Sequence, residues 1–204
     1  MAISPAKENI LKKIRQALSN PVPLPFPQSE GNNSIFLAPP DDLEVVFAEE
    51  FVQLQGKFAF CTDEKDMLQQ IQKLIVEKEW TKIYCNEAKW NAAFSNTINL
   101  PGCDASITGC EFLVARTGTI VMSAAQQSGR TVSVYAPIHI CIAYTNQLVY
   151  DIKDALQMLK EKYAGNMPSL ITFASGPSRT ADIEKTLVTG VHGPKEVYCF
   201  LVDV

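Results

Sequence analysis

Between residues 111 and 145 the chain packs four β-rich runs almost end to end, and this spacing constrains the fold more than any other feature. The runs are EFLVA, TIVMSA, TVSVY and HICIAYT, broken only by RTGT (116–119), QQSGR and AP. Breaks that short can close hairpins, but they cannot hold the dozen or more residues of a helical crossover. Antiparallel pairing is therefore expected here. Upstream the pattern is different. Helical periodicity over 41–55 and 63–78 alternates with the strand-like runs KFAFC and KIYC, and EAKWNAAFSN (87–96) reads as a further helix. Alternation of that kind builds a parallel sheet with helices packed on it. Downstream, Asp151 is placed to cap a helix over 151–163, SLITFAS returns as a strand, and SRTADIEKTLVTG reads as a helical turn or short helix. EVYCFLVDV closes the chain as a strand. The sum is an α/β protein with a mixed sheet flanked by helices.

The first 40 residues stand apart from this domain of residues 41–204. Residues 6–18 carry Ile10, Leu11, Ile14, Ala17 and Leu18 as one apolar stripe at helical spacing, with Ser4 as a cap and Pro5 in the first turn. The segment PVPLPFP (21–27), with Pro39 and Pro40, holds half of the twelve prolines and predicts an extended arm. A one-sided helix ahead of such an arm must bury its stripe, either on its own domain or on a partner subunit.

Charge and composition narrow the function classes. A net charge of −4 and a pI near 5.2 argue against binding to duplex nucleic acid, which needs a basic face. No apolar run reaches the roughly 20 residues of a membrane span, and the N-terminus lacks a secretory h-region, so a cytoplasmic location is expected. The six cysteines form no CxxC or comparable pair and mostly lie in apolar runs, where a thiol behaves as a small hydrophobe. Neither a metal, an iron–sulfur cluster nor another cofactor is expected on this chain.

Three of the four arginines occupy glycine-containing segments: Arg116 in RTGT, Arg130 in SGR and Arg179 in SGPSRTAD. Arginine's planar fork suits carboxylate or phosphate; any one segment alone reads first as a turn held by a structural ion pair, and the recurrence of three weakens that reading. The segment 175–182 follows a strand. If a helix begins there, its free N–H groups form an anion site, joined by Ser175, Gly176, Ser178, Arg179 and Thr180. Arg179 pairing with Asp182 or Glu184 is the competing structural reading. His192, flanked by glycines in GVHGP, is a candidate donor or general acid/base. His139, inside an apolar run, reads as a satisfied core histidine. Neither a P-loop, a GxGxxG nor a GxSxG occurs.

RTGTIVMSA, GRTVSVYAPIHICIA and ITFASGPSRTADIEKTLVTGVHGPKEVYCFLVD together resemble the LUD domain, the family of the lactate-utilisation C proteins. The resemblance spans about residues 41–204. It implies a fold similar to the ribose-5-phosphate isomerase and CoA-transferase group. It also implies a place in L-lactate oxidation beside two iron–sulfur proteins, as the component without a cluster. Where the family's commoner form has an acid just before TGT, this chain has Arg116. Glu111, five residues upstream, is the nearby acid, and is taken with His192 as a catalytic candidate.

The leading expectation is thus a lactate-oxidation component binding a small anion or a partner subunit, with an oligomer possible. The alternative is a free-standing enzyme acting on a phosphorylated or CoA-linked metabolite. In either case Thr117, Gly118 and Thr119, the loop 175–180 and the loop bearing His192 are expected to meet in one pocket, because ligands gather where loops from several strand ends converge.

Overall fold

The computed structural model describes residues 5–19, 42–183 and 186–204. By contact density the chain forms two units, Met1–Ala38 and Pro39–Val204. The described part of the first unit is helix α1 (Pro5–Ser19). Ser4 and the proline-rich arm lie outside the described residues.

The second unit holds the helices α2 (Leu43–Gln53), α3 (Glu64–Glu77), α4 (Asn91–Phe94), α5 (Val132–Tyr135) and α6 (Ile152–Tyr163). Its first strands are β1 (Lys57–Cys61), β2 (Ile83–Cys85), β3 (Ala105–Thr108), β4 (Phe112–Val114), β5 (Thr119–Ser123) and β6 (Ile138–Tyr144). The remainder are β7 (Leu148–Val149), β8 (Ile171–Ala174), β9 (Arg179–Ile183), β10 (Thr186–Thr189) and β11 (Glu196–Val202).

The mixed sheet expected from the short connections is resolved into separate sheets. Strands β1, β11, β6, β3 and β2 form, in that order, a wholly parallel sheet. The antiparallel pairing is confined to a second sheet, β7-β4-β5-β8, and to the β9/β10 hairpin. The run HICIAYT belongs to the first sheet and TIVMSA to the second, so the chain changes sheets between them.

Period-two alternation in β11 explains how the layers join. Tyr198, Phe200 and Val202 face α3 through Met67 and Ile71, whereas Val197, Cys199 and Leu201 face the second sheet and α2 through Phe47, Phe51, Leu113, Ile120 and Met122. A strand covered on both faces reads as a continuous apolar run. The far face of the second sheet buries Phe112, Val114 and Val121 against Ala155 and Leu159 of α6. All six cysteines are buried and free.

Three local expectations are corrected. EAKWNAAFSN forms one helical turn only, because its asparagines bond to the backbone around β2: Asn91 donates to the Cys85 carbonyl at 2.6 Å, and Asn96 accepts from Ile83 N at 2.7 Å. Side chains of this type draw the backbone away from helix. TVSVY is the single turn α5 rather than a strand. Its Val132 carbonyl accepts Ser106 Oγ at 2.8 Å, and tertiary contact overrides β-propensity. SRTADIEKTLVTG is not helical: Thr186 pairs with Ile183, and Thr189 with Arg179, in an antiparallel hairpin. The helix N-terminus invoked for an anion site at 175–182 therefore does not exist. In the other direction, nothing in the sequence announces β3, because ASIT holds one large apolar side chain among small and polar ones.

Candidate functional site

Two of the three glycine-containing segments, RTGT and SGPSRTAD, are seated on the end of α2. Gly118 follows the turn 115–117 with φ of +52°, and a Cβ there would lie 2.6 Å from Phe51 N and 2.8 Å from the Glu50 carbonyl carbon. Gly176 makes a similar approach, its would-be Cβ falling 2.6 Å from the Leu54 carbonyl oxygen. Arg179 also turns to this place and donates to the Leu54 carbonyl. The side chain of Asp182, and all of Glu184, lie outside the described residues. Arg179 thus ties the 175–179 loop to the C-terminal end of α2.

With both loops fixed on one helix, their hydroxyls meet. Thr117 and Thr119 are 2.8 Å apart, and Thr119 Oγ1 lies 2.7 Å from Ser175 Oγ. The histidine loop joins through backbone bonds, Ser178 N donating to the Pro194 carbonyl and Gly190 N to the Ser178 carbonyl, each at 2.9 Å. A cavity of about 250 Å³ opens where they meet. It is lined by Thr172–Ser178, His192–Pro194, Met122, Ser133, Val134, His139 and Val197. Ser175, Gly176, Ser178 and His192 thus line one cavity. Thr119 touches its Ser175 wall, while Thr117 and Gly118 sit behind it as support. Arg179 and Thr180 are not among the lining residues. Nor is Arg130, which donates to Ser169 Oγ.

The pocket does not lie at the sheet end where strand-end convergence placed it. His139 and Val197 are second residues of β6 and β11, so the cavity lies at the amino ends of these parallel strands. The usual position in an open α/β sheet is the carboxyl end. Convergence comes instead from the second sheet, where β8 ends at Ala174 and delivers Ser175–Ser178 to the cavity.

His139, set aside in the sequence as a core residue, is buried and also lines this wall. Its Nε2 is 2.8 Å from Thr108 Oγ1. Burial pushes its pKa down to about 4, so it is a neutral imidazole at pH 7. His192 is exposed. Among the described residues the lining contains no lysine, arginine or carboxylate.

Glu111 belongs to another cluster. Fully buried, it accepts from Ser123 Oγ at 2.5 Å, Lys162 Nζ at 2.6 Å and Tyr163 OH at 2.7 Å. Burial, the largest influence, raises its pKa. The hydrogen bonds from Lys162, Ser123 and Tyr163 outweigh that and hold the carboxyl below its ordinary range. An ionised, fully partnered carboxylate fastens β5 to the end of α6. Lys162 and Tyr163 are 51 and 52 residues away, and nothing local in the sequence points to them. Arg116 pairs with Asp151 at 2.5 Å. Asp151 in turn caps α6 by accepting from Lys153 N. Among the described residues no group of three or more His, Cys, Asp or Glu side chains could hold a metal ion, and no helix is long and apolar enough to cross a membrane.

The LUD domain profile matches residues 77–202. The chain is 33% identical over 129 residues to lactate utilization protein C of Bacillus licheniformis, covering 61% of this chain and 52% of that one. It is 31% identical over 135 residues to the protein of the same name from Bacillus subtilis, covering 64% and 56%. An uncharacterised protein of Neisseria meningitidis, NMB1437, is 35% identical over 109 residues, covering 53% and 44%. The chain therefore spans about half the length of the curated relatives it matches. In fold it is similar to a crystal structure of a DUF162 family protein from Deinococcus radiodurans, with a TM-score of 0.59 at 18% identity over 78% of this chain and 96% of that one. The profile covers well over half of the chain, including the TGT, GPSRTADIE and GVHGP segments: this chain belongs to the LUD domain family.

Proposed function

We propose that this protein is a cytoplasmic component of a lactate-utilisation system, working beside iron–sulfur partners, and that it binds a small carboxylate in the cavity between Ser175–Ser178 and His192. The reading rests on one observation: the loops 175–178 and 192–194 line a cavity of about 250 Å³ whose largely apolar wall carries the hydroxyls of Ser175 and Ser178 and the imidazoles of His139 and His192. Its volume suits a compact acid better than a CoA-linked metabolite. Without a fixed cation in the lining, a dianionic phosphate would be costly to desolvate, whereas one carboxylate can be satisfied by Ser175, Ser178 and His192. Arg179 acts in this reading by positioning the loop. A CoA-transferase-like architecture for the domain, from residue 41 to 204, is part of the same proposal, and the names of the curated relatives support the metabolic assignment.

The test is calorimetric titration with L-lactate, pyruvate and inorganic phosphate. Binding of a monocarboxylate is expected, weakened about tenfold or more in Ser178→Ala and His192→Ala with melting temperatures within about 2 °C of the parent. Preference for phosphate, or monocarboxylate binding indifferent to both substitutions, would refute the reading.

A further inference from the structure

Helix α2 presents two apolar faces, and the fold uses one. Phe47 and Phe51 are fully buried, whereas Val45 and Val52, on the opposite side, are 54% and 55% exposed. Beside this outer face runs β1, an edge strand of the parallel sheet, whose Phe60 is 46% exposed. Between them lies a groove of about 540 Å³ lined by Glu44, Val45, Ala48, Glu49, Phe58, Phe60, Thr145 and Asp203. Its floor is apolar and its rim carries three carboxylates. Among the described residues neither Glu44 nor Glu49 has a cationic partner.

The chain itself carries a segment of the opposite character. Helix α1 has Lys7, Lys12, Lys13 and Arg15 against the single acid Glu8. At 3.6 residues per turn, Ile10, Leu11, Ile14 and Ala17 share one face, with Lys13 on one flank and Arg15 on the other. Ile10 and Ile14 are 59% and 49% exposed. A helix of 15 residues is marginal in water and owes its stability to packing of its apolar face.

From this match we infer that the groove between α2 and β1 is a docking site for helix α1 of a second copy of the same chain. The aliphatic stripe would fill the floor over Val45, Ala48 and Phe60, and Lys13 and Arg15 would face the carboxylates of Glu44, Glu49 and Asp203. Each copy offers both a helix and a groove, so two copies satisfy both contacts reciprocally, as a closed two-fold exchange requires. The inference is independent of the carboxylate cavity.

Charge reversal on the full chain tests it by light scattering and sedimentation. The parent chain is expected to be a dimer at tens of micromolar. Lys13→Glu with Arg15→Glu, or Glu44→Lys with Glu49→Lys, should each weaken dimerisation at least about tenfold. Mixing the two variants should restore the dimer, since each acidic helix then meets a basic groove and each basic helix an acidic one. Ile14→Gln and Val45→Gln, which leave the charge unchanged, should also weaken it. A monomeric parent chain (the outcome if α1 folds back on its own domain), a dimer indifferent to these changes, or a mixture that stays monomeric would overturn the inference.

Discussion

Replacing Gly118 by alanine should be among the most damaging single-methyl changes in this protein, and its size follows from two separable terms. The residue sits at φ of +52°, where an L side chain costs about 1–2 kcal/mol. The added Cβ would also stand 2.6 Å from Phe51 N and 2.8 Å from Phe51 Cα, which are backbone atoms of a packed helix and cannot rotate away. Relief requires moving the turn or α2, an overpacking cost of about 1–3 kcal/mol. Together the loss is about 2–5 kcal/mol, or roughly 4–20 °C in melting temperature for a chain of this size. Gly129 supplies the control: its φ is +62°, but nothing lies within 4 Å of a Cβ there. Gly129→Ala should therefore show only the conformational term, and the difference between the two variants in urea and thermal unfolding measures the contact with α2. If Gly118→Ala is no less stable than Gly129→Ala, the seating of this turn on α2 is wrong.

Glu111→Gln should cost about 2–4 kcal/mol in urea unfolding, because it weakens three donor contacts to a buried carboxylate. The folded carboxyl titrates below its unfolded value, so protonation favours the unfolded chain. Its stabilisation is complete above the unfolded pKa and is lost as pH falls through the folded one. Thermal unfolding from pH 7 down to 3 should accordingly fall more steeply in the parent than in Glu111→Gln; parallel curves would contradict this. Arg179→Ala removes an exposed contact to the Leu54 carbonyl and should lower the melting temperature by only about 2–4 °C. A loss above 10 °C would mean that the loop is fixed by more than this bond.

The sequence alone determined the elements whose signal is local. Strands β1 and β11 are dense apolar runs, α3 follows from amphipathic spacing, and α6 from the same spacing with Asp151 as its cap. It also determined that TGT, GPSRTADIE and GVHGP are unusual segments, and through them the family. Only tertiary structure decided what those segments do. The hairpin at 179–189 and the turn at 132–135 depend on which strand or carbonyl stands opposite, and periodicity does not encode that. Likewise, nothing near Gly118, Gly176 or Arg179 reveals that all three rest on one helix end more than 60 residues upstream of the first. Glu111 acquires its partners from β5 and the end of α6, and His139 its place in the cavity wall where the two sheets meet. Local spacing sets which face of an element is apolar. Which element arrives to cover that face, and which polar groups it brings, is settled by packing over the whole chain.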